Sequence, residues 1–245
     1  MTEKSALVTG GTRGIGLGIA TRMATLGYSL TITARDRAAL DSAAATLTDA
    51  GAPQVITVAA DLADRDAADR ITAAHAEQYS SMTALVLNAG VGTAGSIADY
   101  PMRRFDKTLD VNFRAPFQIL QNVVPLLRAG VAADPDAGAK VIALASMAGV
   151  YSEAGLAVYG ATKAAMLSLI ETLNAEESGN GICGTSIAPG YVDTDMSDWT
   201  KDTIPAEKMI CVDDIVELAV SVLRLSSRAV VPRIVVNRAG AGLGA

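Results

Sequence analysis

The chain is poor in aromatic residues, has two cysteines and one histidine, and lacks any basic stripe or long apolar run. Aromatics make up 4% of 245 positions while half of all residues are hydrophobic, so Ala, Val, Leu and Ile must fill the core. Cys183 and Cys211 are too few for a disulfide framework; they read as small hydrophobes in a reducing, cytoplasmic setting. His75 stands alone in a polar helical stretch, and no His/Cys group has metal-ligand spacing, so no metal centre is expected. No run of about 18 apolar residues occurs to span a membrane. The N-terminal Met1-Thr2-Glu3-Lys4-Ser5 leads straight into a short apolar strand, without the stretch of a signal peptide. Lys and Arg number 20 against 26 Asp and Glu, a net charge of −6, and they are scattered. A nucleic-acid partner is therefore not expected. Charged residues at 19% are too sparse and too mixed for a disordered chain.

What is present is an alternation. Short apolar runs at Ala6–Thr9, Ser29–Thr33, Val55–Ala59, Ala84–Leu87, Lys140–Ala145, Gly184–Ala188 and Ile234–Val236 read as strands. Between them Gly14–Leu26, Arg37–Ala50, Arg65–Tyr79, Asn112–Arg128, Tyr159–Glu177 and Asp213–Leu225 read as helices. Strands apolar throughout are buried on both faces, as in a parallel sheet covered by helices. The chain therefore reads as one α/β domain over 1–245, a doubly wound sheet of about seven parallel strands with helices on both faces.

The residues able to do chemistry fall where these strands end. The first strand runs into Thr9-Gly10-Gly11-Thr12-Arg13-Gly14-Ile15-Gly16 and then a helix. Glycines there let the backbone turn tightly beside a pyrophosphate attracted by the helix N-terminus. The spacing, Gly-x-x-x-Gly-x-Gly, differs from the commoner Gly-x-Gly-x-x-Gly. Asp61-Leu62 closes the third strand-like run, Asn88-Ala89-Gly90 the fourth and Ser146 the fifth, while Tyr159-Gly160-Ala161-Thr162-Lys163 opens a long helix. In such sheets ligands bind outside the carboxyl ends of strands. Tyr159 and Lys163, four apart, share one helical face. An ammonium beside a phenol favours the phenolate and lowers the tyrosine pKa from its usual 10 or so. Ser146 can donate a hydrogen bond to an oxygen on which negative charge develops.

Together these motifs resemble the short-chain dehydrogenase/reductase family, specifically the single-domain branch marked by Thr-Gly-x-x-x-Gly-x-Gly and Tyr-x-x-x-Lys, over about Ser5 to Val236. The resemblance implies a Rossmann-type fold and a catalytic tetrad. Asn112 matches the asparagine that holds a helix and a relay water, and Ser146 the substrate-orienting serine, thirteen residues before the tyrosine. Tyr159 matches the general acid/base, and Lys163 the lysine that binds the nicotinamide ribose and depresses the tyrosine pKa. Asp61 and Leu62 resemble the adenine contacts, and Asn88, Ala89 and Gly90 the segment along the adenosine. Pro189, Gly190, Val192 and Thr194 resemble the loop that meets the carboxamide. Gly10, Thr12, Gly14, Ile15 and Gly16 fall in the pyrophosphate turn. Two departures are noted: Leu87 stands where many relatives have an asparagine, and Val236–Gly240 lacks the Asp-Gly-Gly ending often found near a subunit interface. A homo-oligomer stays open, and the usual tetramer is in doubt.

The implied activity is hydride transfer between a nicotinamide cofactor and a carbonyl/secondary alcohol pair, with NADP expected. Ala34 occupies the strand-end position at which NAD users carry an acid. Arg35, nineteen residues beyond Gly16, can fork onto a 2′-phosphate with Arg13. Against this stands Asp36; the other reading of Arg35 and Asp36 is that they cap the next helix. A substrate lid is expected at about 191–210, where Tyr191, Met196, Trp199 and Ile204, with Val150 and Tyr151, suggest an apolar or aromatic ketone or aldehyde. Two other readings stay open. One is a 3-oxoacyl-carrier-protein reductase, which needs a basic patch; Arg103, Arg104 and Arg128 are the candidates for it, against Glu171, Glu176 and Glu177. The other is a redox sensor that binds dinucleotide without turnover.

Overall fold

The computed structural model describes residues 4–92 and 94–241; Met1–Glu3, part of the segment read for a leader, lie outside them. Strands β1 (Lys4–Thr9), β2 (Tyr28–Ala34), β3 (Val55–Ala59), β4 (Ala84–Leu87), β5 (Ala139–Leu144), β6 (Ile182–Pro189) and β7 (Arg233–Val236) form one sheet in the order 3-2-1-4-5-6-7. Every neighbouring pair is parallel. The expected architecture is present, with most strands extended by a residue or two beyond their apolar cores.

Both faces of the sheet are buried, and the side-chain alternation shows how. Ala6, Val8, Ala84, Val86, Ile142 and Leu144 point into one core, beneath α1 (Gly14–Thr25), α2 (Arg37–Asp49) and α7 (Val212–Leu223). Leu7, Leu85, Leu87, Val141 and Ala143 point into the other, beneath α3 (Ala67–Ala76), α5 (Ala115–Ala133) and α6 (Ala157–Glu177). Successive residues of one strand thus feed opposite layers, which is why these strands read as uninterrupted apolar runs.

The largest departure from the sequence reading lies between β4 and β5. A helix α4 (Met102–Leu109) precedes the expected one and joins α5 through a π-helical turn, Asp110–Arg114. Its apolar residues Met102, Phe105 and Leu109 share one face, but the helix is only eight residues long and Thr108 is its sole buried residue, so the stripe is short and largely exposed. Pro116, in the first turn of α5, has no N–H to offer the Asn112 carbonyl, and the helix widens there. His75 is the second correction. It is fully buried under the sheet, with Nδ1 2.8 Å from Thr31 Oγ1 and Nε2 3.4 Å from Ser5 Oγ. Burial lowers its pKa to about 4. Among the described residues no helix is long and apolar enough to cross a membrane, and no group of His, Cys, Asp and Glu is placed to hold a metal.

Candidate active site

A cleft of about 1060 Å³ lies along the carboxyl ends of the strands. Of the residues singled out in the sequence, Gly10, Thr12, Arg13, Gly14, Ile15, Arg35, Asp61, Leu62, Asn88, Ala89 and Gly90 line one part of it. Ser146, Tyr159, Lys163, Pro189, Gly190, Val192 and Thr194 line the rest. Gly16 and Asn112 do not line it, and each supports it from behind.

At Gly16 a Cβ would stand 2.2 Å from the Gly10 carbonyl oxygen and 2.4 Å from Asn88 Nδ2. The turn therefore closes on itself only with glycine at this position. Asn88 completes the brace: its Nδ2 donates to the Thr9 and Gly10 carbonyls, both at 3.0 Å. Gly10, at φ +66°, supplies the left-handed turn that brings α1 over the strand end. The result is a backbone cradle with a helix N-terminus at its floor, which fits a dinucleotide pyrophosphate.

Asn112 sits in the π turn, 1% exposed. Its Oδ1 accepts from Val91 N at 2.8 Å, and its Nδ2 donates to Val91 O at 2.9 Å and to Thr162 Oγ1 at 3.2 Å. One side chain thus ties the segment after β4 to α6, the helix that carries Tyr159 and Lys163. Ser146 follows β5 and starts a short 3-10 turn, Met147–Gly149, its Oγ accepting from Ala148 N at 3.2 Å. That turn rests directly on α6: a Cβ on Gly160 would come within 2.6 Å of the Ala148 carbonyl. This close approach sets Ser146 beside Tyr159.

The Lys163 ammonium donates to the Leu144 carbonyl at 2.6 Å and lies 5.7 Å from the centre of the Tyr159 ring. Burial lowers its pKa to about 8. Tyr159 departs from expectation. Burial raises its pKa above the ordinary value, a hydrogen bond with Ser146 acts against that, and the Glu153 carboxylate adds to the rise. Desolvation of the phenolate outweighs the lowering expected from a neighbouring ammonium.

At the far end of the cleft Ala34 and Arg35 close β2, and Arg35 makes no ion pair among the described residues. The capping reading holds for Asp36, whose carboxylate accepts from Ala39 N at 3.1 Å. Arg13 pairs with Asp195, with 2.5 Å between Nη1 and Oδ2. Sequence reasoning missed that partner, together with Glu153, Asn237 and Arg238, which also line the cleft. Tyr191 Oη donates to Glu153 at 2.7 Å, and the Tyr191 ring meets Trp199 edge-on at 6.1 Å. None of these pairs leaves a signal in the sequence, because each joins loops brought together only by the sheet.

A parallel sheet with a glycine cradle at one end of its cleft and a serine, a tyrosine and a buried lysine at the other defines a dinucleotide-binding α/β protein. The short chain dehydrogenase family model matches residues 4–204, and the chain belongs to that family of oxidoreductases, which use a nicotinamide dinucleotide on small molecules. It is 32% identical over 206 residues to 2-(R)-hydroxypropyl-CoM dehydrogenase of Xanthobacter autotrophicus, covering 82% of this chain and 79% of the relative. It is 31% identical to the 3-oxoacyl-acyl-carrier-protein reductase MabA of Mycobacterium bovis, covering 80% and 72%. The solved RhlG/NADP active-site complex of Pseudomonas aeruginosa superposes with a TM-score of 0.85 at 28% identity, over 97% of this chain and 95% of that one.

Proposed function

We propose that the chain is an NADPH-dependent reductase of ketones or aldehydes, reversible as a secondary-alcohol dehydrogenase. The observation that carries this reading is the meeting of Ser146, Tyr159 and Lys163 at one end of a cleft whose other end is the glycine cradle. The nicotinamide, when bound, supplies or accepts the hydride. Tyr159 holds its proton at neutral pH, which suits it to protonate the alkoxide oxygen as a general acid during reduction. Ser146 Oγ donates to the same oxygen and stabilises the charge growing there. Lys163 keeps a positive charge beside the phenolate that remains, and its other N–H groups would donate to the ribose hydroxyls of a bound cofactor. Asn112 is a positioning residue that fixes α6 against the loop after β4.

Preference for NADP rests on Arg35 beside Ala34, with no acid at the strand end and Asp36 engaged in capping. The segment 191–210 acts as a lid within this single domain. Met196 and Trp199 are exposed on it, at 46% and 61%, and face an apolar or aromatic substrate. The direct test is absorbance of reduced nicotinamide with a panel of ketones, comparing wild type with Tyr159→Phe. Turnover by the variant at wild-type rate would end the assignment of Tyr159.

Similarity to MabA favours a second reading, reduction of a carrier-bound 3-oxoacyl group. Arg103 and Arg104 lie exposed on α4, and Lys107 of the same helix lines the cleft. Arg128, however, is bound to Glu177, and Arg233 to Glu171 at 2.6 Å, which neutralises part of the basic surface such a carrier needs. A higher kcat/KM for carrier-bound substrate than for its thioester analogue, falling with salt, would promote this reading.

A further inference from the structure

Arg13 is the one basic residue of the glycine turn, and it reaches the segment after β6. The two backbones are held close at this point: Gly14 adopts φ +51°, and a Cβ there would stand 3.3 Å from Thr194 Cγ2. Arg13 therefore faces Asp195 because its neighbours are already packed together. The pair uses a single guanidinium nitrogen, and both side chains are about two-thirds exposed, at 70% and 66%. Such a pair is weak and exchanges readily. The other acids nearby, Asp193 and Asp198, share Lys201 at 3.3 and 2.7 Å, so Lys201 does not neutralise Asp195.

We propose that Asp195 competes with the cofactor's 2′-phosphate for Arg13, so that this one carboxylate sets how strongly the cleft distinguishes NADP from NAD. The inference rests on the NADP reading above. A 2′-phosphate offers nearly two negative charges and three acceptor oxygens, and it draws Arg13 out of a one-nitrogen contact with a solvated carboxylate. NAD has no such group and leaves the Arg13–Asp195 pair in place. Binding NADP therefore unties the glycine turn from the short helix Asp195–Thr200, and NAD does not. Asp195 thus reduces a preference that Arg35 and Arg13 create.

The test is available within the chain, because its one tryptophan, Trp199, lies in that same short helix and reports on it by fluorescence. NADP+ and NAD+ are titrated against wild type, Asp195→Asn, Arg13→Gln, the double variant and Arg35→Ala. Asp195→Asn is expected to tighten NADP+ by about twofold to fivefold, the range of an exposed ion pair, and to leave NAD+ unchanged. In the Arg13→Gln background the same change is expected to have no effect. Weaker NADP+ binding by Asp195→Asn, or an equal change for both cofactors, would overturn the competition and make Asp195 a guide for Arg13. If Arg35→Ala lowers the NADP+/NAD+ ratio while Asp195→Asn does not raise it, this proposal fails alone. If wild type is indifferent and Arg35→Ala moves nothing, the cofactor reading falls and carries the competition with it.

Discussion

Strand β5 has a buried lysine at each end, and the two have opposite fates. At its start Lys140, 3% exposed, donates to the Ala137 carbonyl at 2.7 Å and the Ser226 carbonyl at 3.3 Å. Beyond its end Lys163, 5% exposed, reaches back from α6 to the Leu144 carbonyl. Burial lowers the pKa of both. Exposure does not separate them. The surroundings do: Lys140 is enclosed by a turn, whereas Lys163 shares a cleft with Ser146, Tyr159 and the glycine cradle. A buried cation marks a site only where other polar groups converge on the same open volume.

The comparison is broken most decisively by changing the cleft end. Tyr159→Phe is expected to lower kcat by about 100- to 10,000-fold, the usual contribution of general acid catalysis, with cofactor Kd near wild type. Rates near wild type in steady-state assays would remove the contrast between the two ends.

His75 tests the opposite, structural side. It is neutral in the fold, with a pKa near 4 against about 6.5 in an unfolded chain. Its contribution is complete above pH 6.5 and is lost as pH falls toward 4, because the unfolded state binds the proton first. The loss is on the order of 3 kcal/mol. Urea unfolding at pH 7 and pH 4.5 should show a larger drop for wild type than for His75→Gln. Parallel curves would mean that the imidazole is protonated in place.

Arg35→Ala is expected to cut the ratio of kcat/KM for NADPH over NADH by about tenfold or more, the worth of a charge-assisted contact. An unchanged ratio would leave the far end of the cleft without a phosphate-recognition role. The smallest effect on turnover belongs to Lys140→Met. Two carbonyls lose their donor while a desolvated ammonium is removed, so stability should fall by about 1 to 3 kcal/mol. Turnover of the folded variant should be unaffected, and a drop in kcat at full cofactor saturation would show that the two lysines are not independent.

Much of this arrangement was legible in the sequence because the parallel sheet turns strand ends into coordinates. Gly10, Asp61, Asn88 and Ser146 each follow an apolar run, so the runs alone placed them on one edge. Tyr159 and Lys163 were legible from helical spacing. Three kinds of feature were not. Helix α4 has Met102, Phe105 and Leu109 on one face, but its two turns are too short for that period to stand out. The burial of His75 was hidden because its partners, Ser5 and Thr31, sit on strands distant in the chain. Arg13–Asp195 and Glu153–Tyr191 join loops 182 and 38 residues apart, and only the assembled sheet brings them together. The pKa of Tyr159 was misjudged for the same reason, since spacing reveals the neighbouring charge but not the depth of burial.

The strand order also fixes the sequence in which the cleft comes into being during synthesis. The half-sheet β3-β2-β1, with the glycine turn and Arg35, is complete once residue 62 has been made, and it ends on β1 with one side unpaired. That edge is an open template until β4 arrives more than twenty residues later. Asn88, which braces the glycine turn, arrives with β4, and Tyr159, Lys163 and Thr194 come later still, so the two ends of the cleft are laid down far apart in time.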